Sequence, residues 1–276
     1  MNLNSTIQNL SYVHPKAIIG ENVIIDPFTT IHENVEIGEG TWIGSNVTIM
    51  NGARIGKNCK IFPGAVISAI PQDLKFTGED SYVHIGDYSV IRECATIHRG
   101  TIASGKTEIG THCLIMAYSH IAHDCIVDDY SILSNNSTLA GHVKIGIKVI
   151  LSGFTAVNQF CNIGDYAFVA GGARVRKDIP PYVKAGREPL SFAGVNSVGL
   201  RRDGFDDSFI KDIQNIYRII FQFNSLQRNF IKFSAELPRF CLASLLAHEL
   251  LRTHADHRRC QLKETKHYLC MHCELL

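Results

Sequence analysis

Aliphatic residues recur at every sixth position through the first two thirds of the chain. Stepping by six from Val13 to Val175, 25 of 28 positions carry Ile, Val or Leu, and only Asp73, Glu79 and Ala103 depart from the pattern. A period of six matches neither an amphipathic helix nor a single alternating strand. It is typical of a parallel β-helix, in which a short strand and a corner repeat and successive turns stack along one axis.

Two further columns of the repeat favour the same fold. Glycine often follows the aliphatic residue directly, and small or β-branched residues lie four places after it, near the inside of the corner. Four cysteines share this small column, Cys59, Cys113, Cys125 and Cys161. We therefore predict that these cysteines are packing residues and not nucleophiles.

Interruptions of the period predict two loops that leave the coil, at 68–84 and 103–108. Each removes whole multiples of six residues, so the coil resumes in phase after it. Long excursions from a regular scaffold commonly carry function. We therefore expect functional side chains on or beside these loops.

The repeat ends at Asp178–Ile–Pro–Pro, and the following sequence predicts helices. After a loop to about residue 206, apolar residues at helical spacing behind an aspartate cap predict a helix over 207–223. A second helix is expected over 239–257. The predicted organisation is an all-β solenoid at 1–185 and a small α-helical domain at 186–276, which covers the open end of the coil.

Composition excludes several classes of protein. The 276 residues carry 27 Lys+Arg against 26 Asp+Glu, a charge of +1, which argues against nucleic-acid binding through bulk positive charge. No apolar run is long enough to span a bilayer, and the start MNLNSTIQNL lacks the features of a signal peptide. Nine scattered cysteines favour a reducing compartment. We expect a cytoplasmic protein without stable membrane insertion.

Histidines and amides converge on one side of the predicted coil. With three hexads per turn, Ile97, Ile121, Leu139 and Val157 begin strands on the same side of successive turns. The outward positions there are His98, His123, His142, Asn158 and Gln159, with His120 at the corner leading in. The 68–84 loop leaves the same side and could carry Lys75 over them. Imidazoles suit general acid–base catalysis near neutral pH, although any single outward histidine is more simply an ordinary surface residue.

The C-terminal segment is rich in potential metal ligands, namely His257, Cys260, His267, Cys270, His272 and Cys273. One Cys-x-x-Cys beside histidines is a weak indication of zinc. A frayed terminal segment is the simpler interpretation. We predict neither a metal nor a cofactor.

Longer strings resemble one family of enzymes. They are IHRGT (97–101), SHIAHDC (119–125), LAGHV (139–143), NQF (158–160), PQDLKF (71–76) and GVNSVGLRR (194–202). From about residue 10 to about residue 223, the chain is similar to the UDP-N-acetylglucosamine O-acyltransferases. The resemblance implies a left-handed β-helix and a homotrimer with active sites between subunits. It also implies transfer of a (3R)-3-hydroxyacyl chain from acyl carrier protein to the sugar 3-position, the first step of lipid A biosynthesis.

The resemblance also assigns roles to residues. His123 looks like the general base, Asp124 its orienting partner, and the Gly141 backbone N–H the oxyanion donor. Gly171 matches the position that limits acyl-chain length. The residues that resemble substrate contacts are His98, His120, His142 and Gln159 beside the sugar and pyrophosphate, and Gln72, Lys75, Asn196 and Arg202 beside nucleotide and phosphate. A basic set could meet the acidic carrier protein, namely Arg174, Arg176, Lys177 and Lys184.

Three positions depart from the family's pattern. Asn158 stands where His is more common, Val198 where an acidic residue is usual, and Asp203 where a basic residue adjoins Arg202. The acceptor atom stays open, because some relatives acylate a 3-amine and not a 3-hydroxyl. Two alternatives remain at this point: a zinc-dependent γ-class carbonic anhydrase-like enzyme, and a non-catalytic trimeric scaffold. The spacing of His120 and His123 does not fit the ligand spacing of the first.

Overall fold

The computed structural model describes residues 5–222, with side chains to residue 218. The chain divides into two compact units, Met1–Ile213 and Gln214–Leu276, and of the second only the end of one helix is described. The first unit is a coil of short strands whose parallel pairing places each strand against one from the next turn.

The strands form three sheets, one on each side of the coil. Sheet A contains β1 Thr6–Ile7, β4 Ile24–Ile25, β7 Trp42–Ile43, β10 Lys60–Ile61, β13 Val90–Ile91, β16 Leu114–Ile115, β19 Ile132–Leu133, β22 Ile150–Leu151, β25 Phe168–Val169, β27 Val183–Gly186 and β28 Ser191–Val195. Sheet B contains β2 Tyr12–Val13, β5 Thr30–Ile31, β8 Thr48–Ile49, β11 Val66–Ala69, β14 Thr96–His98, β17 His120–Ile121, β20 Thr138–Leu139, β23 Ala156–Val157 and β26 Arg174–Val175. Sheet C contains β3 Ile18–Ile19, β6 Glu36–Ile37, β9 Ala53–Ile55, β12 Tyr82–Ile85, β15 Lys106–Ile109, β18 Ile126–Val127, β21 Lys144–Ile145 and β24 Asn162–Ile163.

The aliphatic column forms the core, as the six-residue period predicts. Ile25 pairs with Ile43 and Ile43 with Ile61, so each layer repeats the one before it. These side chains have no exposed surface. In the two-residue strands the aliphatic residue comes last and not first, because the outward residue precedes it in the same strand. Ladder pairing satisfies the backbone between turns, while the aliphatic interior supplies the apolar burial.

Most corners bend through one residue in the left-handed conformation, three places after the aliphatic residue. Asn136, His142 and Tyr130 have φ angles of 60°, 63° and 59°. Asn, Asp and His tolerate this conformation better than other non-glycine residues. A polar or aromatic side chain at a corner is therefore part of the repeat, and Asp124, with φ 60°, occupies such a position.

Both loops are displaced from their predicted bounds. The strands extend to Ala69 and begin again at Tyr82, so the first loop is 70–81 and not 68–84. The second is 99–105 and not 103–108, because β15 begins at Lys106. The errors share one cause: the strands beside each loop are three or four residues long, and the hexad pattern alone does not reveal the added pairing.

The coil continues past the double proline. β27 pairs parallel with β25 before β28 turns back antiparallel, which the prediction of a loop to residue 206 missed. A short helix, α1 Ser197–Arg202, was also missed; the Asn196 side chain accepts from the Gly199 N–H at its start.

The predicted helix after the aspartate pair is present as α2 Asp207–Gln222. The Phe209 N–H donates to the Asp206 carboxylate at 2.7 Å, an N-terminal cap. Ile210, Ile213 and Ile216 are buried at helical spacing.

Other predictions are untested. The helix over 239–257 and the Cys/His-rich segment lie outside the described residues. The division at 185/186 stays a prediction. Within the described residues, no helix is long and apolar enough to cross a bilayer.

Candidate active site

The strip of histidines follows sheet B and the corner that joins it to sheet C. β14, β17, β20 and β23 are consecutive strands of sheet B, as the hexad register predicts. His98 and His120 lie on β14 and β17, so His120 is a strand residue and not the corner residue predicted. His123 and His142 lie in the corners after β17 and β20.

These imidazoles contact one another. The His98 and His120 rings meet edge to face with centroids 4.8 Å apart, and His123 and His142 do so at 5.0 Å. Phe160 stacks on the other side of His142 at 4.7 Å. His98 and His123 are only 5% and 6% exposed. They lie outside the aliphatic interior, as predicted, but their side chains are barely accessible to solvent.

Asp124 is the most densely hydrogen-bonded group in the site. Oδ1 accepts from the Thr101 N–H at 2.9 Å and from the Ser104 hydroxyl. Oδ2 accepts from the Thr101 hydroxyl at 2.7 Å and from His123 Nδ1 at 2.7 Å. Burial favours a higher pKa for this carboxyl, but the donors outweigh it and hold the pKa at about 2. Asp124 is therefore an anion at every pH near neutrality.

The anion fixes the protonation of its neighbour. A carboxylate only accepts, so His123 Nδ1 carries the proton and Nε2 is the free basic nitrogen. Nε2 has no hydrogen-bond partner among the described residues. The arrangement resembles the base and orienting carboxylate of hydrolytic triads, and it leaves Nε2 able to accept a proton.

Gly141 lies directly against this imidazole. A Cβ at this position would be 2.5 Å from His123 Cε1 and 2.7 Å from Nε2, so any larger residue would displace the ring. The Gly141 N–H has no acceptor within the part of the chain that the structure describes. Gly141 therefore lies directly beside the free basic nitrogen, and its N–H is available to stabilise an anion formed nearby.

His98, His120 and His142 are neutral near pH 7. Burial, together with nearby His120 and His123, lowers the pKa of His98 to about 4. Burial also lowers the pKa of His120 and that of His142, in the latter against an opposing effect of Asp124. His120 Nδ1 is fixed at 2.8 Å from the Thr96 hydroxyl. Neutral imidazoles can donate and accept hydrogen bonds to hydroxyl groups without adding charge.

The 70–81 loop reaches this strip. Charges on Asp73 and Lys75 both act on His142, Asp73 raising its pKa and Lys75 lowering it. The backbone N–H of Lys75 donates to Asp73 Oδ1 at 3.0 Å. This hydrogen bond closes a turn that carries both side chains. The charges of this loop therefore act on the imidazoles, and the placement of Lys75 over them stays a prediction.

Comparison with known proteins agrees with this geometry. The family profile described as "Udp N-acetylglucosamine O-acyltransferase; Domain 2" matches residues 178–246, and the hexapeptide-transferase profile matches 34–69 and 106–141. An acyl-[acyl-carrier-protein]–UDP-N-acetylglucosamine O-acyltransferase from Chlorobaculum tepidum is 62% identical over 75% of this chain and 78% of its own. The chain belongs to the UDP-N-acetylglucosamine O-acyltransferase family.

Solved structures support the same assignment. A UDP-N-acetylglucosamine acyltransferase from Bacteroides fragilis has 45% identity and a TM-score of 0.86, covering 88% of this chain and 96% of its own. The relative from Acinetobacter baumannii has 37% identity and a TM-score of 0.85, covering 89% and 96%. The left-handed β-helix with helices after it is confirmed. The carbonic anhydrase and scaffold alternatives are not favoured.

Five residues predicted for the acyltransferase site make no hydrogen bond, ion pair or ring contact with the histidine cluster among the described residues. Gln72 and Gln159 are exposed. Asn196 caps α1 and donates to the Tyr166 carbonyl, so its amide serves the fold. Arg202 is exposed on the same helix. Gly171 lies at the corner between sheets A and B, on another edge of the coil. The roles of all five residues stay predictions.

Three contributors were missed from the sequence. Thr101 and Ser104 hold Asp124, and Asp73 accompanies Lys75 at His142. Asp73 lies inside the string PQDLKF, which was the available signal. Thr101 likewise ends the string IHRGT. Nothing points to Ser104, and the relation of both residues to Asp124 depends on how the 99–105 loop folds back.

The inward cysteines of the acyltransferase are buried, as predicted. Burial raises the pKa of Cys59, Cys113 and Cys161 to about 11 and that of Cys125 to about 12. They are thiols at neutral pH, so a nucleophilic thiolate is excluded at these positions.

A metal does not fit the histidine cluster. His123, Asp124 and His142 form a group whose ligand atoms lie within 4.8 Å of one another. Four donors already fill the lone pairs of Asp124, and His123 Nδ1 is one of them. His142 Nε2 lies 3.7 Å from Oδ2, beyond hydrogen-bonding distance. An ion would have to displace several hydrogen bonds at once.

Proposed function

We propose that this acyltransferase moves a (3R)-3-hydroxyacyl chain from acyl carrier protein to the 3-position of UDP-N-acetylglucosamine, with His123 as general base. The observation that carries the proposal is the His123–Asp124 pair, 2.7 Å apart, with Nε2 free and Gly141 directly against the ring. The names of the relatives supply the donor and acceptor classes. The reaction is the first step of lipid A biosynthesis.

The base acts on the sugar hydroxyl. His123 Nε2 takes the proton of the 3-hydroxyl as that oxygen attacks the thioester carbonyl, and Asp124 stabilises the imidazolium that forms. The carbonyl π electrons move to its oxygen, giving a tetrahedral oxyanion. Collapse breaks the carbon–sulfur bond, and the carrier thiolate recovers the proton from His123. The products are the 3-O-acyl sugar nucleotide and the free carrier thiol.

Gly141 supplies the oxyanion donor. Its N–H has no acceptor among the described residues, and the residue itself lies against the imidazole that activates the nucleophile. A fixed donor of this kind is worth about 3–4 kcal/mol of barrier reduction. Because glycine carries no Cβ, the thioester carbonyl can approach both groups at once.

The remaining roles follow charge and position. The neutral imidazoles of His98, His120 and His142, with Gln159, line the sugar and pyrophosphate site. Gln72, Lys75, Asn196 and Arg202 meet the nucleotide and its phosphates. Lys75 has the best support, because its charge acts on His142. Asp203 is paired with Lys148 and Tyr166, so it does not repel phosphate as a free carboxylate would.

Gly171 sets the acyl length that the groove accepts. It lies between two and three turns from His123, about 13 Å along the coil axis at the spacing of stacked strands, and on another edge of the coil. Its exposed position leaves room for a long chain. A Gly171→Leu variant is expected to prefer shorter acyl donors, measured by product mass. Unchanged length preference would remove this role.

The working assembly is a cytoplasmic homotrimer with active sites between subunits. It requires no cofactor and binds acyl carrier protein through exposed basic residues near the end of the coil, Arg174, Arg176, Lys177 and Lys184. Light scattering of the purified protein tests the trimer. A carrier-protein KM that does not rise with salt would contradict the basic docking surface.

One experiment tests the reaction. The purified protein is incubated with hydroxyacyl carrier proteins of several lengths and with UDP-N-acetylglucosamine or its 3-amino analogue, and the products are weighed. Acylation of UDP-N-acetylglucosamine supports the proposal. Acylation of the amine alone would move the acceptor from oxygen to nitrogen, and no acylation by folded protein would end the proposal.

A further inference from the structure

We propose that Thr101 and Ser104, on the 99–105 loop, are positioning residues that orient Asp124 and so hold His123 in its basic tautomer. This inference rests on the proposed role of His123 as general base. It concerns residues that touch neither the thiol ester nor the sugar in that mechanism. Their three hydrogen bonds to one carboxylate are the observation that carries it.

The three hydrogen bonds fix both oxygens of Asp124. The Thr101 N–H and the Ser104 hydroxyl reach Oδ1, and the Thr101 hydroxyl reaches Oδ2 beside His123 Nδ1. With each oxygen accepting two donors, the plane of the carboxylate is determined. The side chain of Asp124 has no exposed surface, so water cannot substitute for a lost donor without local rearrangement.

The loop that carries the donors is itself anchored. The Ala103 N–H donates to the Thr101 hydroxyl at 3.3 Å, and the Ile102 N–H donates to Glu79 Oε1 at 3.0 Å. Glu79 also accepts from the Thr77 N–H and hydroxyl. The two loops are therefore joined, so that the loop carrying Lys75 also braces the loop that holds Asp124.

The Ser104 hydroxyl has a choice of acceptors. Its oxygen lies 2.9 Å from the Lys106 carbonyl as well as against Asp124 Oδ1. One hydroxyl proton serves one acceptor, and an ionised carboxylate is the stronger of the two. Loss of either hydroxyl leaves a buried anion with fewer donors, which frees the carboxylate to rotate and weakens its hold on His123.

Thr101→Val tests the mechanism, because valine keeps the shape and removes the hydroxyl. The expected result is a fall in kcat of about tenfold with KM for the sugar nucleotide within about twofold. Thr101→Ser keeps a hydroxyl and is expected to restore kcat. Ser104→Ala is expected to lower kcat by a smaller factor, because two donors from Thr101 remain.

Thr107→Val is the matched control. Thr107 follows the same loop on β15, is fully buried, and its hydroxyl has no partner among the described residues. It is expected to keep normal kcat and KM. Equal losses in the Thr101 and Thr107 variants would mean general damage to the fold and would overturn the proposal.

A double-mutant cycle separates positioning from direct catalysis. In an Asp124→Ala background, Thr101→Val is expected to change the residual kcat by less than about twofold, because the group it orients is gone. An undiminished effect there would refute action through Asp124. His123→Ala is assayed alongside: if it retains full activity, the base assignment fails, whereas normal activity of Thr101→Val beside an inactive His123→Ala overturns only the positioning role.

Discussion

Two corners of the same coil have the same backbone conformation but differ in the groups that surround their histidines. At the corner between sheets C and A, Tyr88, His112 and Tyr130 occupy the left-handed position and stack with centroids 4.9 and 4.8 Å apart. At the corner between sheets B and C, Asp124 and His142 occupy the equivalent positions. The backbone is alike in both places, and each corner carries a histidine.

The difference lies in what surrounds the side chains. His112 is exposed, and its ring makes no hydrogen bond within the described part of the chain. His123 is 6% exposed and bonded to a carboxylate that three donors from the 99–105 loop hold in place. We therefore expect a corner imidazole to act as a base only where a loop supplies burial and a fixed anion.

The largest expected effect separates the two histidines. His123→Ala removes the base and is expected to lower kcat by about 1,000-fold, within the range for general base catalysis. His112→Ala should leave kcat unchanged. Steady-state assays, with circular dichroism and light scattering as checks of fold and assembly, make the measurement. Comparable activity in the two variants would erase the distinction between the corners.

Asp124→Asn is expected to lower kcat by on the order of 100-fold. An amide has one oxygen and one NH2 group. The NH2 group would therefore face two of the four donors that now bond to the Asp124 carboxylate. The imidazole then loses the partner that fixes its tautomer. Single-turnover kinetics measure the chemical step; an unchanged rate would show that the carboxylate is dispensable.

Gly141→Ala tests the close approach of backbone to imidazole. The added Cβ would lie 2.5 Å from His123 Cε1, so the ring must shift, and kcat is expected to fall by about 100-fold. Gly186→Ala is the matched control, because its Cβ would meet nothing closer than 3.4 Å. Similar losses in both variants would indicate a general intolerance of side chains at coil glycines.

The sequence predicts the coil far better than the site. Ile43, Ile61 and their equivalents repeat in one phase, and periodicity alone assigns them to the interior. It also brings His123 and His142 to one edge, because register follows from counting. It does not predict that Thr101 and Ser104 hold Asp124, since an aperiodic loop folds by its own hydrogen bonds. The prediction for the residues after the double proline is wrong for the same reason, because β27, β28 and α1 lie outside the repeat.

The pH dependence of stability gives a smaller effect. The pKa of Asp124 is depressed in the folded protein to about 2, below its ordinary value of 3.8. The ionised Asp124 therefore adds about 2 kcal/mol to the free energy of unfolding. This stabilisation is fully present above about pH 4 and is lost as the pH falls towards 2. Chemical denaturation of wild type and Asp124→Asn from pH 2 to 6 should show the difference growing with pH. A difference in the free energy of unfolding that does not vary with pH would contradict the conclusion that Asp124 is ionised and hydrogen-bonded.

The smallest effect concerns the corner without catalytic groups. Tyr130→Ala removes the stack on His112 and the approach of the Lys148 ammonium, 5.5 Å from the ring centroid. About 1 kcal/mol of stability should be lost, with kcat unchanged. Tyr118→Ala is the control, because Tyr118 has the same left-handed backbone and 63% exposure, and its ring stacks on nothing within the described residues. If both variants lose the same stability, the stacked column adds nothing beyond the repeat. If only Tyr130→Ala does, corner side chains stabilise this coil where they stack.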